Sequence, residues 1–288
     1  MSAQKLINIL NKIFSKIKRI VLFYFLILYN FFSEKKIIDE KSEAVVTLTS
    51  HSNRIQRSFA TIESIGRGTA RPQKIILYLG NEYADKPLPA NLVRLKKRGL
   101  EINFCSDVGP HTKYFPYVQS KTDFELPLVT ADDDKMYDLY WLHCLIQAWR
   151  DDPNTVHCFR ARKIVIENSR LIPYKMWPLC EDTYASVSHF ATGVSGVIYP
   201  PKLLIEIKNA GQNFLQCCPK ADDVWLHVIS IRNGFKIRQI QPQSKHFFGT
   251  PGSSKSALHF SNLSGGNNDI QIKKTYSSKD LQSLIKSQ

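Results

Sequence analysis

The sequence lacks a C-x-x-C pair and a Walker-type G-x-x-x-x-G-K-[ST] loop, its N-terminal pattern disfavours a cleaved leader, and each of these excludes something. Its six cysteines, Cys105, Cys144, Cys158, Cys180, Cys217 and Cys218, are scattered, and no histidine spacing completes a zinc pattern. The adjacent pair Cys217-Cys218 is a poor disulfide framework. The spacing therefore predicts neither a structural zinc site nor a disulfide scaffold. Cys144 and Cys158 fall in apolar stretches, where a free thiol packs as a small hydrophobe, and nothing nearby marks an activated nucleophile. The apolar run 20–32, IVLFYFLILYNFF, is 13 residues long. As a helix it spans roughly 20 Å, short of the ~30 Å hydrocarbon core. Ser33, Glu34, Lys35 and Lys36 follow it, so no small-residue cleavage site is present. A reducing compartment is expected. No helix-turn-helix, zinc-finger or aromatic-basic RNA-binding signature occurs, which ranks a nucleic-acid partner last.

What is there is a globular composition with an uneven charge. Of 288 residues, 43% are hydrophobic and 22% charged, and the formal net charge is +14. Lys5, Lys12, Lys16, Lys18 and Arg19 fall within residues 1–19, which hold no acidic residue. Between them Leu6, Ile9, Leu10, Ile13, Ile17 and Ile20 recur at helical spacing. This reads as a basic amphipathic helix that runs into an apolar plug and lies on an anionic membrane surface. The competing reading is a helix docked on the protein's own core.

From residue 44 onward strands and helices alternate. Residues 44–49 (AVVTLT), 74–79 (KIILYL), 100–104, 127–131 (PLVTA) and 156–165 read as strands. Helical patterns fall near 55–62, 91–98 and 138–150, with Ser50 and Ser52 as candidate caps of the first. The alternation predicts an α/β fold with a mostly parallel sheet covered on both faces. Three segments are expected: 1–40 membrane-associating, 41–270 a single α/β domain, and 271–288 a polar tail, frayed apart from a helix near 280–285.

Two acidic elements carry the chemistry. Asp132-Asp133-Asp134 follows directly on an apolar strand, at the carboxyl end where parallel sheets bind ligands. Adjacent carboxylates repel one another unless a cation compensates, and Mg²⁺ or Mn²⁺ suits such oxygens. With side chains repeating every second residue, Asp132 and Asp134 can share a ligand while Asp133 faces elsewhere. The bland alternative is a solvated acidic loop. The second element, Asp222-Asp223, opens an apolar helical stretch. It reads either as a capping pair or as a general base that takes a proton from an acceptor hydroxyl.

The order VTLTSHSNRI, RPQKIILYL, GLEINFCSDVGPHTKYFP, LVTADDDKMY, TGVSGVIYPP, ADDVW, spanning about 44–270, resembles bacterial glycosyltransferases of the GT-A fold, of the family 2 kind that build surface polysaccharides. The motif order is the specific part. The resemblance implies a nucleotide-sugar-binding, Rossmann-like domain working at the cytoplasmic face of the inner membrane. It implies that Asp132-Asp133-Asp134 is the D-x-D element, with Asp134 on the metal and Asp132 on metal or ribose. It implies that Asp222-Asp223 supplies the base, with Asp223 favoured. Many relatives have Glu-Asp there, so the division of roles stays open. Thr49, Ser50, His51 and Arg54 are implied to line the nucleotide pocket, beside Asp133. Lys113 can place a positive charge near the diphosphate. Gly193, Ser195 and Gly196 are expected on the acceptor side, and His259 or His246 could complete the metal shell. A turn at Asn262, Gly265, Gly266 and Asn268 could close over the donor.

These residues imply a metal-dependent, inverting transfer from a nucleotide sugar, UDP by frequency, to a lipid-linked or growing glycan, with Mn²⁺ or Mg²⁺ as cofactor. A nucleotidyltransferase and a non-catalytic nucleotide- or glycan-binding protein are the alternatives. The acidic pair at 222–223 favours the first.

Overall fold

The computed structural model describes residues 3–252 and 266–287. β1 (Val45–Thr49), β2 (Lys74–Gly80), β3 (Leu100–Cys105) and β4 (Leu128–Thr130) are the apolar runs expected as strands. β5 (Lys135–Met136) follows at once, and β6 (Val156–Cys158) and β7 (Ala161–Lys163) come next. The stretch 156–165 was expected as one strand. It breaks at Phe159-Arg160, and β6 and β7 enter different sheets. β8 (Ile166–Glu167) and β9 (Arg170–Leu171) form a short hairpin. β10 (His189–Ala191), β11 (Val197–Tyr199), β12 (Ile237–Gln239) and β13 (Phe248–Gly249) complete the strands among the described residues.

The main sheet has seven strands in the order β12-β6-β11-β4-β1-β2-β3. All are parallel except β11, which runs antiparallel to both β4 and β6. Helices cover both faces: α1 (Ala3–Phe32), α2 (Ile55–Gly66), α3 (Ala90–Lys97), α4 (Phe115–Gln119), α5 (Trp141–Asp151), α6 (Pro201–Asn209), α7 (Phe214–Cys217) and α8 (Asp222–Arg232). Buried apolar side chains form one cluster on each side of the sheet. Ile75, Leu77 and Leu79 of β2 serve one, and Ile76 and Tyr78 the other, as the two-residue period of a strand requires.

α1 is docked on the core over its second half and exposed over its first. Leu26 is fully buried, and Leu22, Phe23 and Ile27 pack against the core beside α2. Asn30 donates to Glu63 at 2.8 Å and accepts from Arg94 at 2.9 Å. Glu63 is itself buried in an ion pair with Arg98. From Lys5 to Lys18 every residue is exposed, including Leu10, Ile13, Phe14 and Ile17. No helix among the described residues is long and apolar enough to cross a membrane.

The polar segment at the C-terminus is ordered where fraying was expected. Helices Asn267–Thr275 and Ser278–Lys286 bury Ile272, Tyr276 and Leu284. Ser277 caps the second with a reciprocal bond to Asp280, and Arg232 of α8 binds Asp280 at 2.8 Å.

Candidate active site

After β1 the chain builds β2 and β3 on one side and returns to β4 on the other. The switch point between β1 and β4 is where open α/β sheets leave a crevice at the strand carboxyl ends. Ser50 leaves β1 there and Asp132 leaves β4. Because β11 is antiparallel, its amino end reaches the same edge, with Val197 opposite Thr130. That places Thr192 and Gly193 beside the aspartates.

β4 ends at Thr130, so strand alternation does not continue into the aspartates. Asp132 turns toward Lys113, whereas Asp133 and Asp134 both turn toward Arg54. Asp133, expected to face elsewhere, is the carboxylate that Arg54 engages through both of its oxygens, while Asp132 and Asp134 pair with different cations. Arg54 Nε donates to Asp133 at 3.1 Å, its terminal nitrogen pairs with the other Asp133 oxygen, and it lies 3.3 Å from Asp134. Ser50 donates to Asp133 as well, and so is not available to cap α2, whose cap position is Arg54. Thr61 Oγ1 donates to the Asp133 carbonyl at 2.8 Å. Burial still pushes the Asp133 carboxyl above its usual range, because it outweighs the opposing pull of Arg54 and Ser50.

Lys113 ends a short 3₁₀ turn, Gly109–Lys113, and is nearly buried. Its Nζ lies 2.7 Å from Asp132 and 3.2 Å from Asp222. Burial alone would lower its pKa, but Asp132, Asp222 and Asp223 together hold it well above the lysine range. His111 anchors the turn. Its ring stacks on Phe214 at 4.0 Å, its Nε2 donates to the Cys218 carbonyl at 2.8 Å, and its Nδ1 accepts from Tyr114 at 2.8 Å. Burial drives His111 down to about 4, so it is neutral and works as a strut.

Asp222 and Asp223 are the first two residues of α8, and the capping position is Ala221. They are therefore not capping side chains. Asp223 accepts from the Gly193 amide at 2.9 Å. Its carboxyl is pushed up to about 8, first by burial and then by the charge of Asp222; Lys113 and the Gly193 amide oppose this. A carboxyl that titrates near neutrality is suited to proton transfer.

The oxygen donors suit a hard divalent cation. Asp134 Oδ1 is buried and makes no hydrogen bond, with Lys135 Nζ 3.3 Å away. Asp132 retains partial exposure. Asp134 and Asp132 are thus the pair that could hold a metal.

Other expected site residues are engaged within the fold. Thr49 donates to the Tyr78 carbonyl at 3.1 Å, and the His51 ring contacts Ser52 at 3.4 Å. Ser195 is buried and donates to the Lys245 carbonyl at 2.6 Å, so its hydroxyl is committed to the fold. Gly196 is required by packing: φ is +96°, and a Cβ there would lie 2.5 Å from Trp141 Nε1. Of the three acceptor-side residues only Gly193 faces the cluster. His259, Asn262 and Gly265 lie outside the described residues, and His246 is exposed near Arg160 and Lys135. The Cys105 thiol is pushed up to about 11 by burial, and those of Cys158, Cys180 and Cys218 also rise, which disfavours a free thiolate nucleophile.

Two cations were missed. Lys135 is written directly after the aspartates. Arg160, where β6 breaks, donates to Thr192 Oγ1 at 2.7 Å and feels the charge of Asp223. Reading 156–165 as one strand hid it.

Neither a family model nor a curated protein matches the sequence. Among solved structures, the chain is similar to a mannosyltransferase from Pyrobaculum calidifontis, solved in complex with GDP-Man and Mn²⁺. The TM-score is 0.51 at 9% identity, covering 93% of this chain and 75% of that one. It is also similar to a 4-diphosphocytidyl-2C-methyl-D-erythritol synthase from Anaerococcus prevotii, with TM-score 0.47, 13% identity, and 82% and 98% coverage. The mannosyltransferase likeness is one of fold: a Rossmann-like α/β sheet of the GT-A type, flanked by helices.

Proposed function

We propose that the protein is an inverting glycosyltransferase that moves a sugar from a nucleotide-sugar donor to a lipid-linked or growing glycan acceptor. The observation that carries this reading is Asp223. It is a carboxyl raised to about 8, fixed by the Gly193 amide, beside Lys113 and across from the D-x-D segment. In the transfer, Asp223 takes the proton of an acceptor hydroxyl. The freed oxygen bonds to the anomeric carbon, and the bond to the nucleoside diphosphate breaks. Lys113, Arg54 and Arg160 offer positive charge to the donor phosphates and leaving group. A divalent cation held by Asp134 and Asp132 would supply further positive charge to the leaving diphosphate.

The exposed part of α1 suits an anionic membrane surface. It combines Lys5, Lys12, Lys16 and Lys18 with exposed Leu10, Ile13, Phe14 and Ile17 and carries no acidic side chain. A lipid-linked acceptor would be met at such a surface.

The test is a panel of nucleotide sugars, UDP- and GDP-linked among them, incubated with purified protein and Mn²⁺ while free nucleoside diphosphate is measured. Release should vanish with a chelator and in Asp223→Asn, with nucleotide binding retained in that variant. Pyrophosphate release from a nucleoside triphosphate and a sugar phosphate in a parallel assay, with no nucleoside diphosphate released from any nucleotide sugar, would assign nucleotidyl transfer, and full activity of Asp223→Asn would remove it as the base.

A further inference from the structure

On the far side of β10 from Gly193, three side chains of different chemistry converge. Cys180 Sγ lies 3.6 Å from His189 Nε2 and 3.6 Å from Asp182 Oδ1, and Nε2 lies 3.2 Å from the same Oδ1. All three distances involve the same three atoms. A tetrahedral zinc centre has bonds of about 2.3 Å to sulfur, about 2.0–2.1 Å to nitrogen and about 2.0–2.2 Å to oxygen. Tetrahedral angles then set the edges at about 3.6 Å for S–N, about 3.6 Å for S–O and about 3.4 Å for N–O. The triangle formed by Cys180, Asp182 and His189 has nearly these edges.

We propose that Cys180, Asp182 and His189 bind one Zn²⁺ ion, with the fourth position left to solvent. No other group of three such ligand atoms this close occurs among the described residues. A thiolate with an imidazole selects zinc over Mg²⁺, Mn²⁺ or Ca²⁺. Cys180 is fully buried, His189 is 1% exposed, and the Asp182 side chain is 27% exposed, which opens one side to water and to entering metal.

The surroundings hold Cys180 and Asp182 in place, as the outer partners of a metal site do. The Cys180 amide donates to the Ala161 carbonyl at 3.0 Å, and its carbonyl accepts from Gln239 at 2.9 Å. Lys163, opposite His189 in the β7–β10 ladder, pairs with the second oxygen of Asp182 and leaves Oδ1 as the single donor. Binding forms a zinc–sulfur bond and releases the Cys180 proton to water. The pattern, Cys-x-Asp-x₆-His, is not a recognised zinc spacing, which is why the sequence predicts no site. β10 runs from His189 directly to Thr192 and Gly193, so the ion would brace the strand that presents the Gly193 amide to Asp223.

The experiment is metal analysis of the full chain purified without chelators, followed by Co²⁺ titration of the metal-stripped protein. One zinc per chain and an ultraviolet sulfur-to-cobalt charge-transfer band are expected. The band is specific, since cobalt held by the oxygens of Asp132 and Asp134 gives none. Cys180→Ser should abolish it. Because that variant may fail to fold, Asp182→Asn provides a second arm, with an expected loss of at least tenfold in zinc affinity at unchanged circular dichroism. Less than a tenth of an equivalent of zinc with no cobalt band overturns the proposal. So does a band that persists in Cys180→Ser, or an affinity unchanged in Asp182→Asn.

Discussion

The Gly193 amide donates to the Asp223 carboxylate at 2.9 Å, and a Cβ at 193 would sit 3.0 Å from that same oxygen. A methyl there would be tighter than ordinary contact, so the Asp223 carboxyl or the turn would have to give way. The hydrogen bond joins the turn before β11 to the first residues of α8, so two segments distant in sequence meet on one carboxyl group.

Gly193→Ala should therefore damage activity more than stability. The added methyl also lies 3.4 Å from Lys113 Nζ, so both partners must give way. The expected outcome is a fall in kcat of ~10-fold or more, in keeping with the sensitivity of catalysis to small misplacements, with a stability loss of about 1 kcal/mol. Steady-state kinetics alongside urea unfolding checks this.

Asp223 predicts a pH dependence in both activity and stability. Its carboxyl titrates at about 8 in the folded protein, far above the ordinary 3.8. As a base it must be ionised, so kcat should rise about tenfold per pH unit below 8 and level off above. For stability the sign is opposite. The folded state holds a proton that the unfolded chain has released, so the stability contribution of Asp223 falls as pH rises from about 4 to about 8. Asp223→Asn removes that slope. It should be more stable than the parent at pH 9 by at least ~1 kcal/mol and closer to it at pH 5, measured by thermal unfolding.

The fold was legible because its parallel strands are short, continuous apolar runs, such as 74–79, that only a doubly covered sheet can bury. The break at Phe159-Arg160 was not legible, since VHCF and ARKIV are both strand-like and only the tertiary structure separates them. At the site, the acidic pair and Lys113 were visible as charged residues beside apolar elements. Their pairing was not: residues 113, 132 and 222 meet only through sheet order. Gly196 was misassigned for the same reason. A glycine needed for Trp141 looks in sequence like one needed for a ligand.

Lys113→Met should be strongly destabilising. It leaves Asp132, Asp222 and Asp223 facing one another without the buried cation, and breaking a buried pair costs about 3–5 kcal/mol. The loss should be largest above pH 8, where Asp223 has given up its proton, and should shrink on acidification through pH 8, because protonation of Asp223 removes part of the repulsion. Unfolding midpoints at several pH values test the trend. A pH-independent loss would mean that Lys113 acts by packing alone.

Cutting the N-terminus at two places separates membrane binding from folding. Shortening the chain to begin at Leu22 removes Lys5, Lys12, Lys16, Lys18 and Arg19 and most of the exposed apolar face, while leaving Leu26 and Asn30 docked. That form should no longer sediment with anionic vesicles, and its melting temperature should stay within a few degrees of the parent, the shift expected for ~1 kcal/mol in a chain of this size. Beginning the chain at Ile37 also removes Leu26, which is fully buried, and Asn30, which bridges Glu63 to Arg94. Loss of a buried leucine alone costs about 2–5 kcal/mol, so this form should unfold earlier or aggregate. If the Leu22 form still sediments with vesicles, the attachment lies elsewhere on the domain; if it unfolds as readily as the Ile37 form, the exposed turns of α1 serve the fold and not a membrane.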